Sequence, residues 1–128
     1  MTNEERAERL YQLLKKDSEG CFDVKVERFE NQVTYKGQGG LIGIDFDELS
    51  LTQTGDIRDT FDCDSKEDVA EQYVTGETTS LQFYKTHFGS IYATITYKFE
   101  TLDLLYDAIS ISSIFDLEGV EDLFKEGK

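Results

Sequence analysis

The N-terminal part of the chain has hydrophobic residues at helical spacing. They recur at intervals of three and four residues: Ala7, Leu10, Tyr11 and Leu14. Thr2 and Glu5 have the spacing of a capping box, in which each residue satisfies a free backbone amide of the other. The pattern predicts an amphipathic helix over Asn3–Asp17 that ends before Gly20.

Alternation with period two follows the helix and indicates β-strands. The alternating hydrophobic residues form three runs: Phe22, Val24 and Val26, then Val33 and Tyr35, then Ile42, Ile44 and Phe46. Glu30–Asn31 and the glycine-rich residues 37–40 separate these runs, and Leu49 and Leu51 extend the third run or begin another strand. The pattern is typical of an antiparallel meander of three or four strands.

The middle of the chain changes to a short helix and then to a second hairpin. Ser65 and Asp68 have capping spacing, which predicts a short helix that points Val69, Ala70 and Tyr73 inward and ends near Gly76. Alternation resumes at Leu81 and Phe83, residues 87–90 form a turn, and a strong strand follows, whose inward positions are Ile91, Ala93, Ile95, Tyr97 and Phe99.

The C-terminal segment has mixed periodicity. Helical spacing predicts a helix from Thr101 to about Ser110 and a short terminal helix near Leu117–Phe124, although residues 109–115 also fit a strand. There is no repeat and no linker. We therefore expect a single compact domain over residues 1–128 with an α+β fold: an N-terminal helix packed on a twisted, mainly antiparallel sheet of five or six strands, and further short helices in the middle and at the C-terminus.

Charge narrows the possible partners. The 128 residues include 27 Asp and Glu against 13 Lys and Arg, a formal net charge of −14. This balance argues against direct binding of nucleic acid or of an anionic membrane, because both require a basic surface. The polar N-terminus does not resemble a signal peptide and no apolar run is long enough to span a membrane, so we expect a cytoplasmic protein whose Cys21 and Cys63 stay reduced.

Enzyme chemistry has weak support in the sequence. His87, the single histidine, lies in a predicted turn without a nucleophile motif, and it cannot complete a zinc site with the two cysteines. The acids near Asp62 approach a calcium loop, but Lys66 occupies a ligand position. Asp45, Asp47 and Glu48 are the remaining candidates: Asp45 and Asp47 would share a strand face and could bind Mg²⁺ or Ca²⁺ in a small metal-dependent or ligand-binding enzyme. We expect no cofactor, no dedicated metal site and no catalytic residues.

The acidic residues are concentrated in the middle of the chain. Between Asp45 and Glu71 there are ten acids and two bases, and solubility alone would be a sufficient reason for such a surface. The concentration in a loop-rich region nevertheless favours binding to a basic protein, with carboxylates in place of nucleic-acid phosphates. The expected contacts are six acids and two aromatic anchors: Asp56, Asp59, Asp62, Asp64, Glu67 and Asp68, with Phe61 and Tyr73. The acids of residues 116–122 could extend the same surface.

In size and charge the chain is similar to small acidic inhibitors such as phage anti-CRISPR proteins and immunity proteins against nuclease toxins. No motif matches a particular family, and the similarity is limited to size and charge. Together with the concentrated acids it favours a non-enzymatic inhibitor, of viral or immunity type, that mimics nucleic acid on a nucleic-acid-handling enzyme. Another alternative to the enzyme is an acidic structural subunit of a larger assembly, with exposed Tyr and Phe side chains as its contact patch.

Overall fold

The computed structural model describes residues 1–37, 39–110 and 112–125. Within them the chain forms three α-helices and six β-strands, with 3₁₀ turns at Ser113–Phe115 and Glu121–Phe124. The elements follow in the order α1 (Asn3–Asp17), β1 (Lys25–Phe29), β2 (Gln32–Gly37), β3 (Gly40–Asp45), β4 (Ser50–Asp56), α2 (Lys66–Tyr73), β5 (Thr78–Lys85), β6 (Ile91–Lys98) and α3 (Leu102–Ile109).

The six strands form one antiparallel sheet in the order β1-β2-β3-β4-β6-β5, which confirms the predicted α+β architecture. The first four strands are a meander in which each strand pairs with the next along the chain. The connection through α2 then crosses over β6, so β6 pairs with β4 and β5 becomes an edge strand. No helix among the described residues is long and apolar enough to cross a membrane.

Helix α1 begins and ends where the periodicity predicts. Thr2 accepts a hydrogen bond from the Glu5 backbone amide at 3.1 Å, and Glu5 Oε1 accepts one from the Thr2 amide at 2.8 Å, which completes the capping box. Ala7, Leu10 and Leu14 are fully buried against β1 and β2. The helix thus covers the β1–β2 end of the sheet.

All helices pack on the same face of the sheet. Residues directly opposite each other on paired strands point to the same side, and one such row runs through Val33, Ile44, Leu51 and Tyr97. The α1, α3 and C-terminal side chains cover the β1–β4 part of this face, while α2 and the loop before it cover Ala93 and Ile95 on β6. The opposite face has no buried side chain in any strand.

Two local predictions are wrong in detail. Ala70 does not point inward: it is exposed, because α2 has only eight residues and buries one position, Val69. The terminal helix predicted near Leu117–Phe124 is only the 3₁₀ turn Glu121–Phe124. Gly119 has φ +97°, which is outside the helical region and delays the start of the turn. Within residues 109–115, α3 ends at Ile109 and a 3₁₀ turn covers Ser113–Phe115, while Ile111 lies outside the described residues.

Arg6 joins α1 to the C-terminal segment. Its Nε donates to the Leu123 carbonyl at 2.9 Å, a second nitrogen donates to the Lys125 carbonyl at 3.3 Å, and a third donates to Asn3 Oδ1 at 2.9 Å. The side chain is only 7% exposed. Helix α1 therefore holds the C-terminal turn through charge-assisted hydrogen bonds as well as through apolar contacts.

We predict that Arg6→Met destabilises the protein by about 2 kcal/mol, because the Leu123 carbonyl loses its charged donor. Urea unfolding measures the loss, and hydrogen exchange should show faster exchange at residues 120–125. Arg9→Met on the exposed side of the same helix is the control, and we expect it to change stability by less than about 0.5 kcal/mol. Equal losses in the two variants would contradict the anchoring role of Arg6.

Candidate partner-binding site

The loop after β4 alternates buried apolar residues with exposed acids. We call residues 56–68, from the end of β4 into the first turn of α2, the acidic loop. Ile57, Phe61 and Cys63 are 3%, 0% and 3% exposed, and they pack with Val69, Ala93 and Ile95. The acids between and after them are exposed: Asp59, Asp62, Asp64 and Glu67. Burial of the apolar residues therefore fixes the loop with these carboxylates toward solvent.

Hydrogen bonds hold the acidic loop in one conformation. Asp56 Oδ1 accepts from the Arg58 amide at 2.8 Å and from the Asp59 amide at 3.3 Å, which closes a local turn. The Cys63 amide donates to the Ile57 carbonyl at 2.8 Å, across the loop. Because these bonds are made within the loop, little conformational entropy is left to lose when a partner binds.

Phe61 is not an exposed anchor, and its prediction as a partner contact is wrong. The ring is fully buried and meets the Tyr73 ring edge-on, with centroids 5.1 Å apart and an interplanar angle of 84°. Tyr73 is half-buried, and its hydroxyl donates to the Phe61 carbonyl at 2.9 Å. Burial, together with nearby Cys63 and Asp62, raises the pKa of Tyr73. Both aromatic side chains therefore pack in or against the buried cluster under the acidic loop, and only part of the Tyr73 side chain is accessible to solvent.

The six predicted acids differ in their exposure and in whether they already have a structural role. Asp56 and Asp68 are half-buried, and Asp56 is used by its own turn. Glu67 and Asp68 lie in the first turn of α2, where acids stabilise the helix dipole whatever the function. Asp59, Asp62 and Asp64 have no such role. Among the described residues, none of the six makes a salt bridge. Three unpaired carboxylates on a fixed loop remain as the core of the candidate site.

Phe88 is an exposed aromatic residue that the sequence reasoning missed. It lies in the β5–β6 turn and is 97% exposed. A shallow depression of about 300 Å³ brings it together with Asp56, Arg58 and Asp64. The sequence does contain a signal for this exposure: Phe88 precedes Gly89 in a predicted turn, and a large apolar residue at the tip of a turn has no core to fill. Phe88, rather than Phe61, is the apolar group next to the acidic loop.

The acidic stretch between Asp45 and Glu71 does not form one surface. Strand β4 has seven residues, so it separates its two ends by about 20 Å. Asp45, Asp47 and Glu48 lie before its first residue, and the acidic loop begins at its last residue. The C-terminal turn with Glu121 and Asp122 packs against α1 and does not extend the acidic loop, which packs over β6.

The carboxylates of Asp45, Asp47 and Glu48 are occupied by structural contacts. The expectation that Asp45 and Asp47 share a strand face is wrong, because β3 ends at Asp45 and Asp47 lies in the turn. Asp45 Oδ1 accepts from the backbone amides of Asp47 and Glu48 at 2.9 and 3.1 Å. The three remaining contacts tie the turn to its neighbours: Asn3 and Asn31 to Asp47, both at 3.0 Å, and Lys98 to Glu48 at 3.1 Å.

No group of three or more His, Cys, Asp or Glu among the described residues is arranged to hold a metal ion. His87 is exposed in the β5–β6 turn, and the structure brings neither cysteine to it as a zinc ligand set. The carboxylates of Asp45, Asp47 and Glu48 at the β3–β4 turn thus stabilise the fold at that end of the sheet.

A groove opens between α2 and α3 on the helix-bearing face. It has a volume of about 560 Å³, and its floor includes Ile42, Leu51, Gln53 and Tyr97. The Tyr97 hydroxyl donates to the Tyr73 carbonyl at 2.7 Å, so it is already used. Gln53 is half-buried in this floor, and the lining also includes other polar side chains: Thr60, Gln72, Thr75, Glu77 and Ser112.

No family model, no curated protein and no solved structure matches this chain. The candidate site is therefore defined by its own geometry: unpaired carboxylates on a rigid loop, an exposed phenylalanine beside them, and a buried cluster that holds both in place.

The two cysteines have opposite environments. Cys21 is exposed and Cys63 is buried, and both are free thiols. Burial raises the pKa of the Cys63 thiol, and the nearby carboxylates of Asp68, Asp62 and Asp64 raise it further. The Cys63 sulfur also donates to the Phe61 carbonyl at 3.2 Å. Cys63 is thus a core residue of the acidic loop and an unreactive one.

We predict that a thiol reagent such as DTNB labels one cysteine quickly near pH 8 and the second only after denaturation, because Cys63 is both buried and protonated. Absorbance at completion counts the thiols. The Cys21→Ser variant is the control and should show no fast phase. Two fast thiols in the folded wild-type protein would mean that the acidic loop opens readily.

Proposed function

We propose that this protein is a non-enzymatic inhibitor that uses the acidic loop to occupy a basic, nucleic-acid-binding surface of a partner protein in the cytoplasm. The observation that supports this most directly is the combination of exposure and rigidity at Asp59, Asp62 and Asp64. Their carboxylates have no salt-bridge partner among the described residues, and the buried residues between them keep them in place. A rigid array of this kind presents negative charge without an ordering cost.

Electrostatics favours a nucleic-acid-handling protein as the partner. Such proteins carry grooves of Lys and Arg that accept phosphates, and carboxylates satisfy the same donors. A formal net charge of −14 accelerates the encounter with a basic surface and keeps nucleic acid itself away. The partner surface would therefore be blocked directly, with no chemical step.

Phe88 supplies the apolar contact of the proposed interface. Charged groups at an interface mainly set specificity and association rate, whereas a few desolvated aromatic residues supply most of the binding energy. Phe88 is almost fully exposed and shares its depression with Asp56 and Asp64. The ring would enter a hydrophobic recess within the basic groove, and the carboxylates would pair around it.

We predict that Asp59→Lys/Asp62→Asn/Asp64→Lys weakens partner binding by at least about tenfold at low salt. Asn is used at position 62 because Asp62 has φ +53°, a conformation that Asn tolerates. The measurement is competition with a labelled DNA duplex for purified nucleases and nucleic-acid-binding proteins, at roughly 0.05 and 0.5 M NaCl. Wild-type competition should fall steeply with salt.

The matched control is Glu19→Lys/Asp107→Asn/Glu118→Lys, at three exposed positions outside the acidic loop. Both triple variants change the formal net charge from −14 to −9, so they differ only in where the charge is lost. The control should compete like the wild type. If both variants lose competition equally, bulk charge is responsible, and if no basic protein is competed at either salt concentration, the proposed function is wrong.

We predict that Phe88→Ala weakens binding to the same partner by about 2 kcal/mol, or ~30-fold, without loss of stability, because its ring is solvated in the free protein. Isothermal titration calorimetry gives the affinity and thermal unfolding gives the stability. Phe22→Ala is the control, since Phe22 is also fully exposed but precedes β1 at the other edge of the sheet. Unchanged affinity in Phe88→Ala would exclude the turn from the interface.

A further inference from the structure

The groove between α2 and α3 has a polar residue at the centre of its floor, where the alternation of the sheet calls for an apolar one. A row of paired positions on the helix-bearing face runs through Tyr35, Ile42, Gln53, Ile95 and Leu81. Gln53 lies in the middle of this row, between two isoleucines. A polar side chain at an inward position of a central strand departs from the pattern that folds the rest of the sheet, and such departures are typical of functional sites.

The side-chain amide of Gln53 is available to a ligand. Its strand neighbours Thr52 and Thr54 bond to threonines of β6 on the other face, and the Tyr97 hydroxyl donates to the Tyr73 carbonyl. Gln53 makes no side-chain hydrogen bond to another described residue. Since every described buried side-chain nitrogen or oxygen has a partner, the unpaired amide is reached from the groove. It presents a donor and an acceptor side by side.

Aromatic and aliphatic groups surround this amide. The rings of Tyr97 and Phe99 both line the groove and stack on each other, with centroids 6.4 Å apart and an interplanar angle of 28°. Leu51 from β4 and Ile109 from α3 complete the apolar part of the lining. Flat apolar surfaces of this kind favour a planar ring as the buried part of a ligand.

The rim of the groove is polar but contributes no basic group. Gln72, Thr75 and Glu77 are exposed on one side, and Ser112 lies on the other side, after α3. Among the described lining residues Glu77 is the single charged one, on a chain of formal net charge −14. A phosphate or carboxylate would therefore be repelled, whereas ligand hydroxyls could hydrogen-bond to the rim.

We propose that the groove binds an uncharged purine nucleoside, with the base on the floor and the sugar at the rim. The Gln53 amide then donates to a ring nitrogen and accepts from an amino group, which is the bidentate pair that Gln makes with adenine. The base lies against Tyr97 and Phe99, and the ribose hydroxyls lie near the rim. The volume of about 560 Å³ is in the usual range for small-molecule sites. An adenine nucleoside without phosphates satisfies all of these features.

Calorimetric titration of the whole protein with adenosine tests the proposal. We expect a dissociation constant on the order of 0.1 mM that changes little with salt, because the ligand is uncharged. Purine riboside, which lacks the amino group, should bind at least about fivefold more weakly. Adenosine 5′-monophosphate should also bind at least about fivefold more weakly at roughly 0.05 M NaCl, and the difference should shrink at roughly 0.5 M as salt screens the repulsion.

Two results in the wild-type protein would overturn the proposal. One is the absence of both binding heat and a thermal shift with adenosine at about 5 mM, well above the expected dissociation constant. The other is equal affinity for adenosine and purine riboside, since the floor would then not read the amino group. Neither result bears on the acidic loop, because Asp59, Asp62, Asp64 and Phe88 do not line the groove. The two proposals therefore fail separately.

Variants locate the nucleoside in the groove. Gln53→Leu removes the amide at similar volume and should weaken adenosine at least about fivefold, so that adenosine and purine riboside bind alike. Gln82→Leu makes the same change at an exposed position of β5 and should bind adenosine as the wild type does.

Ala108→Phe adds a ring to the lining and should abolish binding of both nucleosides, whereas Ala70→Phe at an exposed position of α2 should not. Circular dichroism and thermal unfolding check the fold, and Ala108→Leu replaces Ala108→Phe if the larger side chain prevents folding. Adenosine binding that is unchanged in both Gln53→Leu and the Ala108 variant lies elsewhere on the protein and overturns the proposal.

Discussion

Burial of only one face of the sheet is the constraint on which the rest of the structure depends. Every strand contributes alternate residues to this face, and the helices, the C-terminal turn and the acidic loop compete to cover it. Coverage is divided: α1, α3 and the C-terminus take the β1–β4 part, while the acidic loop and α2 take β6 and β5. The groove near Gln53 lies where the two coverings part. The candidate site and the uncovered second face of the sheet are therefore two consequences of the same packing.

The buried cluster under the acidic loop connects stability with function. Phe61 is placed so that its carbonyl receives both the Tyr73 hydroxyl and the Cys63 thiol, and its ring closes the cluster over Ala93. The acids beside it are exposed because their apolar neighbours are buried. Glycine makes this close packing possible, since a Cβ at Gly55 would collide with the Thr60 side chain that lies over the sheet. The carboxylates are thus displayed by the core rather than by a flexible loop.

Much of the fold could be predicted because local periodicity and capping act over a few residues. The capping box fixed the start of α1, and the alternation in β6 fixed which of its side chains are inward. The residues of the candidate site could be predicted less well from the sequence. Phe61 and Phe88 are both phenylalanines in irregular segments, and one is fully buried while the other is 97% exposed. The predicted turn at residues 87–90 is a local signal for the exposure of Phe88, whereas the burial of Phe61 depends on its packing over β6, which no local pattern contains.

The sequence by itself determined most of the helices and strands, the α+β class and the acidic character of residues 45–71, because these depend on spacing and composition. The tertiary structure decided where the acids lie. Strand β4 carries the chain from one end of the sheet to the other, so the Asp45–Glu48 turn and the acidic loop are separated by its length. Contacts across the fold then gave the first group structural partners and left Asp59, Asp62 and Asp64 unpaired among the described residues.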